Sequence, residues 1–244
     1  MTRTAGEGSS AAPRENYPQL LSLAVHELRS PASVVGGYLR MLQREIESPL
    51  SERQRKMIDE AEKSCARLVA LIAELSDISK LDSGLVSLAR EPLDLFPLIA
   101  EVVELVQEAK DRDVRLEIRG ETHGAQISGD AARLRSAFDV IFRSILREKA
   151  GPATIVVERR RETRDGQPTA VVVVAEETSV QAAHDRAVAP FDEQRGGLGL
   201  QLPLARRIFE GHGGHLAQPA GSTAAGPDDR LPRGSAIVSL PITE

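Results

Sequence analysis

Residues 23–35 read LAVHELRSPASVV. An ionisable pair, His26–Glu27, interrupts an apolar helical pattern, and Pro31 follows five residues after the histidine. Proline inside a helix removes a backbone hydrogen bond, here the one to the Glu27 carbonyl, and kinks the rod at a cost of about 3 kcal/mol. Two local rules strained at one place mark a candidate functional site. With Leu21 at heptad position a, Leu28, Val35 and Leu42 recur at a, and Val25, Ala32, Leu39 and Ile46 recur at e. Ala24, Pro31 and Tyr38 fall at d. This spacing predicts a long helix with a coiled-coil-like stripe. His26 then sits at f, opposite the seam, with Ser30 one turn later on nearly the same face.

The segment ESPLSE (47–52) ends the pattern, and Ser51 is placed to cap a second helix. That helix carries Ile58, Cys65 and Ile72 at a, and Ala61, Leu68 and Leu75 at d. A short loop makes the two helices antiparallel. Such a hairpin cannot enclose its own apolar faces, so a second copy is expected to complete a four-helix bundle. Cys65 lies in the seam and reads as a core residue.

After LDSGLVSLAREP (81–92) the pattern changes. Residues 95–110, 130–149 and 198–211 read as helices. IVVERRRE and TAVVVVAE read as strands about a DGQP turn, and SAIVSLPI as a closing strand. AQPAGSTAAGPDDRLPRG (217–234) has loop composition. The expected organisation is a tail at 1–16, a helical hairpin at 17–82, a linker at 83–92, and an α+β domain at 93–244. The last is expected to be a mixed sheet with helices on one face. His123 and His184 fall in loop-like stretches, HGG (212–214) reads as a helix end, and RRRETR (159–164) as a solvated hairpin end.

The 244 residues allow one large domain or two modest ones. A net charge of −5 argues against nucleic-acid or anionic-membrane partners. One cysteine excludes an intrachain disulfide framework and a cysteine metal cluster. The chain has no apolar run of membrane-spanning length, and MTRTAGEGSSAAPREN at its start lacks an apolar signal core, so a cytoplasmic location is expected.

An exposed imidazole is largely neutral near pH 7 and offers a lone pair for attack at phosphorus. Glu27 is placed to hold it in one tautomer. Four segments carry a resemblance: SLAVHELRSPASVVGGYLRML (22–42), LIAELSDISKLDSGLVSLAREPLDL (71–95), GDAARLRSAFDVIFRSILREK (129–149) and PFDEQRGGLGLQLPLARRIFEGHGG (190–214). Together they resemble the two-component sensor histidine kinases. The resemblance implies a dimeric helical hairpin followed by an α/β-sandwich domain of the Bergerat ATPase type. It implies that His26 is phosphorylated, that Glu27 is its orienting base, and that Ser30 occupies a position used in removing phosphate from the response regulator.

The resemblance also implies ATP and Mg²⁺ as cofactors, and here the sequence departs from the family. Ser144 stands where the family places a metal-binding asparagine, Val140 stands one turn earlier, and Arg147 keeps its basic character. AEETSVQ (175–181) replaces the first glycine box, with Ala175 at the aspartate and Glu177 and Ser179 at the glycines. A one-residue shift puts Glu176 at the acid. Gly197 and Gly199 survive in the second box, where Arg195 replaces a glycine, and only DEQR separates Phe191 from Gly196. A weak, degenerate nucleotide site is therefore expected from Ser144, Arg147, Gly197 and Gly199, with no other metal site. The expected function is histidine phosphotransfer between His26 and receiver aspartates of response regulators, by a homodimer, with an upstream histidine kinase as a further partner. Two other readings stay open: a divergent kinase that autophosphorylates His26 from ATP, and a non-catalytic dimeric scaffold for regulators or another kinase.

Overall fold

The computed structural model describes residues 17–44, 50–106, 112–194, 197–220 and 234–243. The tail, Ile46, Arg195 and most of the 217–234 segment lie outside the described residues. The chain divides into two compact units, Met1–Leu85 and Val86–Glu244.

In the first unit, helix α1 (Tyr17–Arg44) runs through Pro31 and pairs with α2 (Glu52–Asp82). Ser51 caps α2 as its spacing predicts. Its hydroxyl accepts from the Gln54 amide while the Gln54 side chain accepts from the Ser51 amide, a reciprocal capping box. The helices meet through small residues. Cys65 is buried, its thiol donates to the Ala32 carbonyl at 3.1 Å, and a β-carbon on Gly36 would lie 3.3 Å from its sulfur. Farther along, Gln43 donates to Asp59 and Glu62 across the hairpin.

The two stripes of α1 have different fates. Val25 is buried and Ala32 and Leu39 are half-buried, so the e positions face α2. Leu28, Val35 and Leu42 are exposed by 51%, 53% and 43%, joined by Tyr38, Met41 and Leu68. On α2, Ile72 is buried at 8% exposure, like Cys65 at the same heptad position. The a face of α1 is thus an apolar surface left open by the hairpin itself.

In the second unit, β1 (Glu91–Asp94) pairs antiparallel with β3 (Gln126–Gly129). Residues 89–92, expected in a linker, are tied into this unit. The Ala89 amide donates to Asp130, and Arg90 donates to the carbonyls of Ser128 and Gly211. The main sheet has six strands in the order β2-β4-β5-β8-β7-β6. These are β2 (Val114–Gly120), β4 (Ala153–Arg164), β5 (Gln167–Glu176), β6 (Val188–Pro190), β7 (His215–Pro219) and β8 (Ala236–Pro241). β2 runs parallel to β4 and every other pairing is antiparallel. Asp165 and Gly166, both at positive φ, make the two-residue β4–β5 turn, a conformation suited to Asp-Gly. β7 reaches Pro219, so the first three residues of the segment expected to be loop are strand.

Both faces of this sheet are covered, which corrects the expectation of helices on one face. Arg159 lies opposite Val172 in the β4–β5 register and donates to the Phe96 carbonyl in α3 (Leu95–Leu105) at 2.9 Å. Its guanidinium also lies 5.8 Å from the Phe96 ring centroid. The Val172 and Val174 face therefore turns toward α3, which packs with α4 (Ala131–Arg147), which in turn packs with α6 (Gln201–Gly211). Phe138 and Phe209 join α4 to α6 edge to face, their centroids 5.0 Å apart. The other face carries Val171, Val173, Ala175 and Ile237 and is covered by α5 (Val180–Asp185) through Ala183 and Val180. Buried Arg159 also corrects the reading of RRRETR as solvated throughout.

HGG ends α6 as expected, with Gly213 at positive φ, yet His212 does more than terminate it. It is buried, its Nδ1 lies 2.6 Å from the Ile208 carbonyl, and its Nε2 accepts from the Asp130 amide at 2.9 Å. Only the neutral Nδ1–H tautomer makes both bonds. Burial pushes its pKa below the ordinary value. A histidine held neutral in the fold favours folding above its unfolded pKa, and that contribution fades as pH falls through the folded value. The melting temperature is expected to drop as pH falls from about 7 toward 5. His212→Gln should flatten that slope in thermal scans, and an unchanged slope would refute the role.

Candidate functional site

α1 displays His26, Glu27 and Ser30 as one exposed stretch, as the f-position assignment predicts. Pro31 stands one turn after Glu27 and leaves the Glu27 carbonyl without its helical donor. Among the described residues no hydrogen bond links His26 to Glu27, so the imidazole is free to meet an incoming group. The helix beneath is held by Val25, buried one residue away. A nucleophile on a packed helix, open to solvent and unencumbered, suits transfer of a group from a second molecule.

The positions matched to nucleotide chemistry are arranged differently. Ser144 is fully buried and its hydroxyl donates to the Ile141 carbonyl of its own helix at 2.8 Å. Val140 is buried and Arg147 is exposed. The register of β5 separates the two candidate positions for the acid, 175 and 176. Ala175 packs in the apolar cluster under α5, so no acid belongs there. Glu176, opposite Ile155, points to the α4 side and is held at 2.9 Å by the buried Lys149 ammonium. Glu177 pairs instead with Arg119 at the surface, and Ser179 is buried with its hydroxyl on the Glu176 carbonyl.

Gly197 and Gly199 have φ of 62° and 65°, the left-handed region that favours glycine. No atom lies within 4 Å of a β-carbon built on Gly197, so backbone conformation and not tight packing asks for glycine there. α6 starts at Gln201, three residues later than its periodicity suggests, because this turn occupies 198–200. A Mg²⁺ ion needs outward oxygen ligands. The Ser144 hydroxyl is turned inward and Glu176 is already paired, so this donor set does not fit the ion.

Residues 19–84 match the His Kinase A (phospho-acceptor) domain family. The chain is similar to two-component sensor histidine kinases, and the family match lies in its helical hairpin. His26 lies within the matched phosphoacceptor segment. The alginate biosynthesis sensor protein KinB of Pseudomonas aeruginosa is 24% identical over 201 residues, covering 80% of this chain and 33% of KinB. The chain thus spans a third or less of the length of the curated relatives it matches. Among solved structures, full-length ShkA in complex with AMPPNP has a TM-score of 0.64 at 19% identity, covering 93% of this chain and 46% of that one. Histidine kinase ThkA in complex with response regulator protein TrrA has a TM-score of 0.51 at 19% identity, covering 92% and 61%. These likenesses establish the fold of a histidine kinase core.

Two features escaped the reading of the sequence. His184 lies in a helix between carboxylates, not in a loop, and Lys149 supplies the partner of Glu176. Periodicity carries no sign of either, because both depend on strand register.

Proposed function

We propose that this chain is a dimeric histidine phosphotransfer protein whose working residue is His26. The observation that carries the reading is an exposed imidazole on a rigid helix within the phosphoacceptor segment. The phosphoryl donor is an aspartyl phosphate on a response-regulator receiver domain. A neutral ring nitrogen of His26 attacks phosphorus in line, the P–N bond forms, the P–O bond to the aspartate breaks, and the carboxylate leaves. Glu27 accepts or orders the proton on the far ring nitrogen once a docked receiver excludes water. Ser30, on the same face, can hydrogen-bond a water that attacks the receiver's aspartyl phosphate, releasing inorganic phosphate and the free carboxylate. The homodimer uses the exposed Leu28, Val35 and Leu42 face.

The second unit acts in this reading as a scaffold or docking surface and not as a working ATPase. Support comes from the buried Ser144 hydroxyl and the Lys149–Glu176 pair, which occupies the acid on the α4 side. Calorimetric titration should find no tight Mg-ATP binding. Ser144→Asn alone should not restore it, because Glu176 remains paired. Dissociation constants in the low micromolar range would favour the divergent-kinase reading, which the paired left-handed Gly197 and Gly199 support. The deciding experiment mixes the protein with a phosphorylated receiver and follows acid-labile, base-stable phosphate on this chain.

A further inference from the structure

His184 sits on the sheet face opposite α3, α4 and α6, between the 175–181 and 190–214 segments but outside both. Its Nε2 lies 2.5 Å from Glu162 on β4, and its Nδ1 lies 3.1 Å from Asp185 on α5. Carboxylates only accept hydrogen bonds, so both ring nitrogens donate at once only in the imidazolium form. The surrounding charges are ordered. From β4, Arg164 donates to Glu162, and Arg160 joins Glu158 to Gln181. From α5, Gln181 donates to both oxygens of Asp185. From β7, His215 lies on the same sheet face and is exposed, while β5 and β8 present apolar Val171 and Ile237 there.

Apart from the Arg160–Gln181 hydrogen bond and its apolar underside, α5 has little else to hold it. It is six residues long, and its Ser179 N-cap makes no side-chain capping bond, the hydroxyl turning back to the Glu176 carbonyl. Beneath it lies the apolar patch of Val171, Val173, Ala175 and Ile237. We propose that His184 is a proton-gated latch: its doubly bonded imidazolium clamps α5 to β4, and loss of its proton releases α5 and uncovers the apolar sheet face beneath it. A neutral ring keeps at most one of the two bonds and loses the charge that strengthens it. The hydrogen bond and charge of Glu162 hold the pKa of His184 above its ordinary value, with Asp185 adding to the effect and burial and Arg160 opposing it. The clamp is therefore complete below the ordinary pKa of 6.5 and lets go as pH rises through the raised folded value. This is the reverse of His212, whose contribution fades toward acid.

Amide hydrogen exchange tests the latch, with rates corrected for intrinsic pH dependence. The reporter is the Ala183 amide, bonded to the Ser179 carbonyl at 2.8 Å. Between about pH 6 and pH 9 its protection should fall on the order of tenfold or more, while Val173 in the central strand stays protected. His184→Gln should give low protection at both ends of the range, and Glu162→Gln should move the transition to lower pH. His215→Ala should leave it unchanged. Protection of Ala183 that is equal at both pH values, or an alkaline loss that persists in His184→Gln or vanishes in His215→Ala, would overturn the proposal.

Discussion

Replacing His26 with glutamine should abolish phosphate uptake from a phosphorylated receiver while leaving the hairpin folded. The side chain is exposed and makes no hydrogen bond among the described residues, so its loss removes no packing. Glutamine keeps the size and polarity but offers no nucleophilic nitrogen, since its amide lone pair is delocalised. Incubation with a phosphorylated cognate receiver should label the wild type and not the variant, and circular dichroism should superimpose. Glu27→Ala in the same assay should slow transfer by about 10²- to 10⁴-fold if the carboxylate orders the ring. Ser144→Ala should leave transfer at the wild-type rate, because the reaction draws nothing from the second unit. A His26→Gln chain that still takes up base-stable phosphate would exclude this site. A wild type that no receiver ever labels would leave the dimeric scaffold as the function.

The second large effect concerns the open face of the hairpin. Val35→Asp with Leu42→Asp should convert a dimer into a monomer at micromolar concentration. Fully burying one Val or Leu side chain is worth about 1.5–3 kcal/mol, and a two-fold interface counts each position twice. The double substitution also places four like charges against apolar surface, a cost of several kcal/mol unless they leave. Both residues are about half exposed in the single hairpin, so its α1–α2 packing should survive. Sedimentation velocity distinguishes the states directly. A wild-type chain that sediments as a monomer at micromolar concentration would remove the dimer from the proposal, and a variant that stays dimeric would move the interface elsewhere.

Much of this was legible in the order of residues. The heptad through Leu21 put His26 on an open face because helical periodicity is a local property. The Ser51 capping box and the Asp165–Gly166 turn were readable for the same reason, since each depends on residues within a few positions of one another. The e stripe and the a stripe looked alike as strings of apolar letters. The hairpin separates them, burying Val25 while leaving Val35 open.

Contacts between distant segments were invisible in the sequence. RRRETR reads as a charged surface run, yet Arg159 is buried because β-strand alternation and the β4–β5 register point it at Phe96. The same register sets Ala175 beneath α5 and turns Glu176 toward Lys149, a choice between two positions that the sequence leaves open. His184 and His212 have unremarkable sequence surroundings. One is ringed by carboxylates and the other wedged between two backbone groups, because elements 22 and 82 residues apart meet there. By itself, the sequence determined the hairpin, the strands β4, β5 and β8 and the exposure of His26, all set by short-range pattern. Only the tertiary structure decided which polar groups are spent on internal partners, because that depends on which side of a strand each residue faces and on what packs against it.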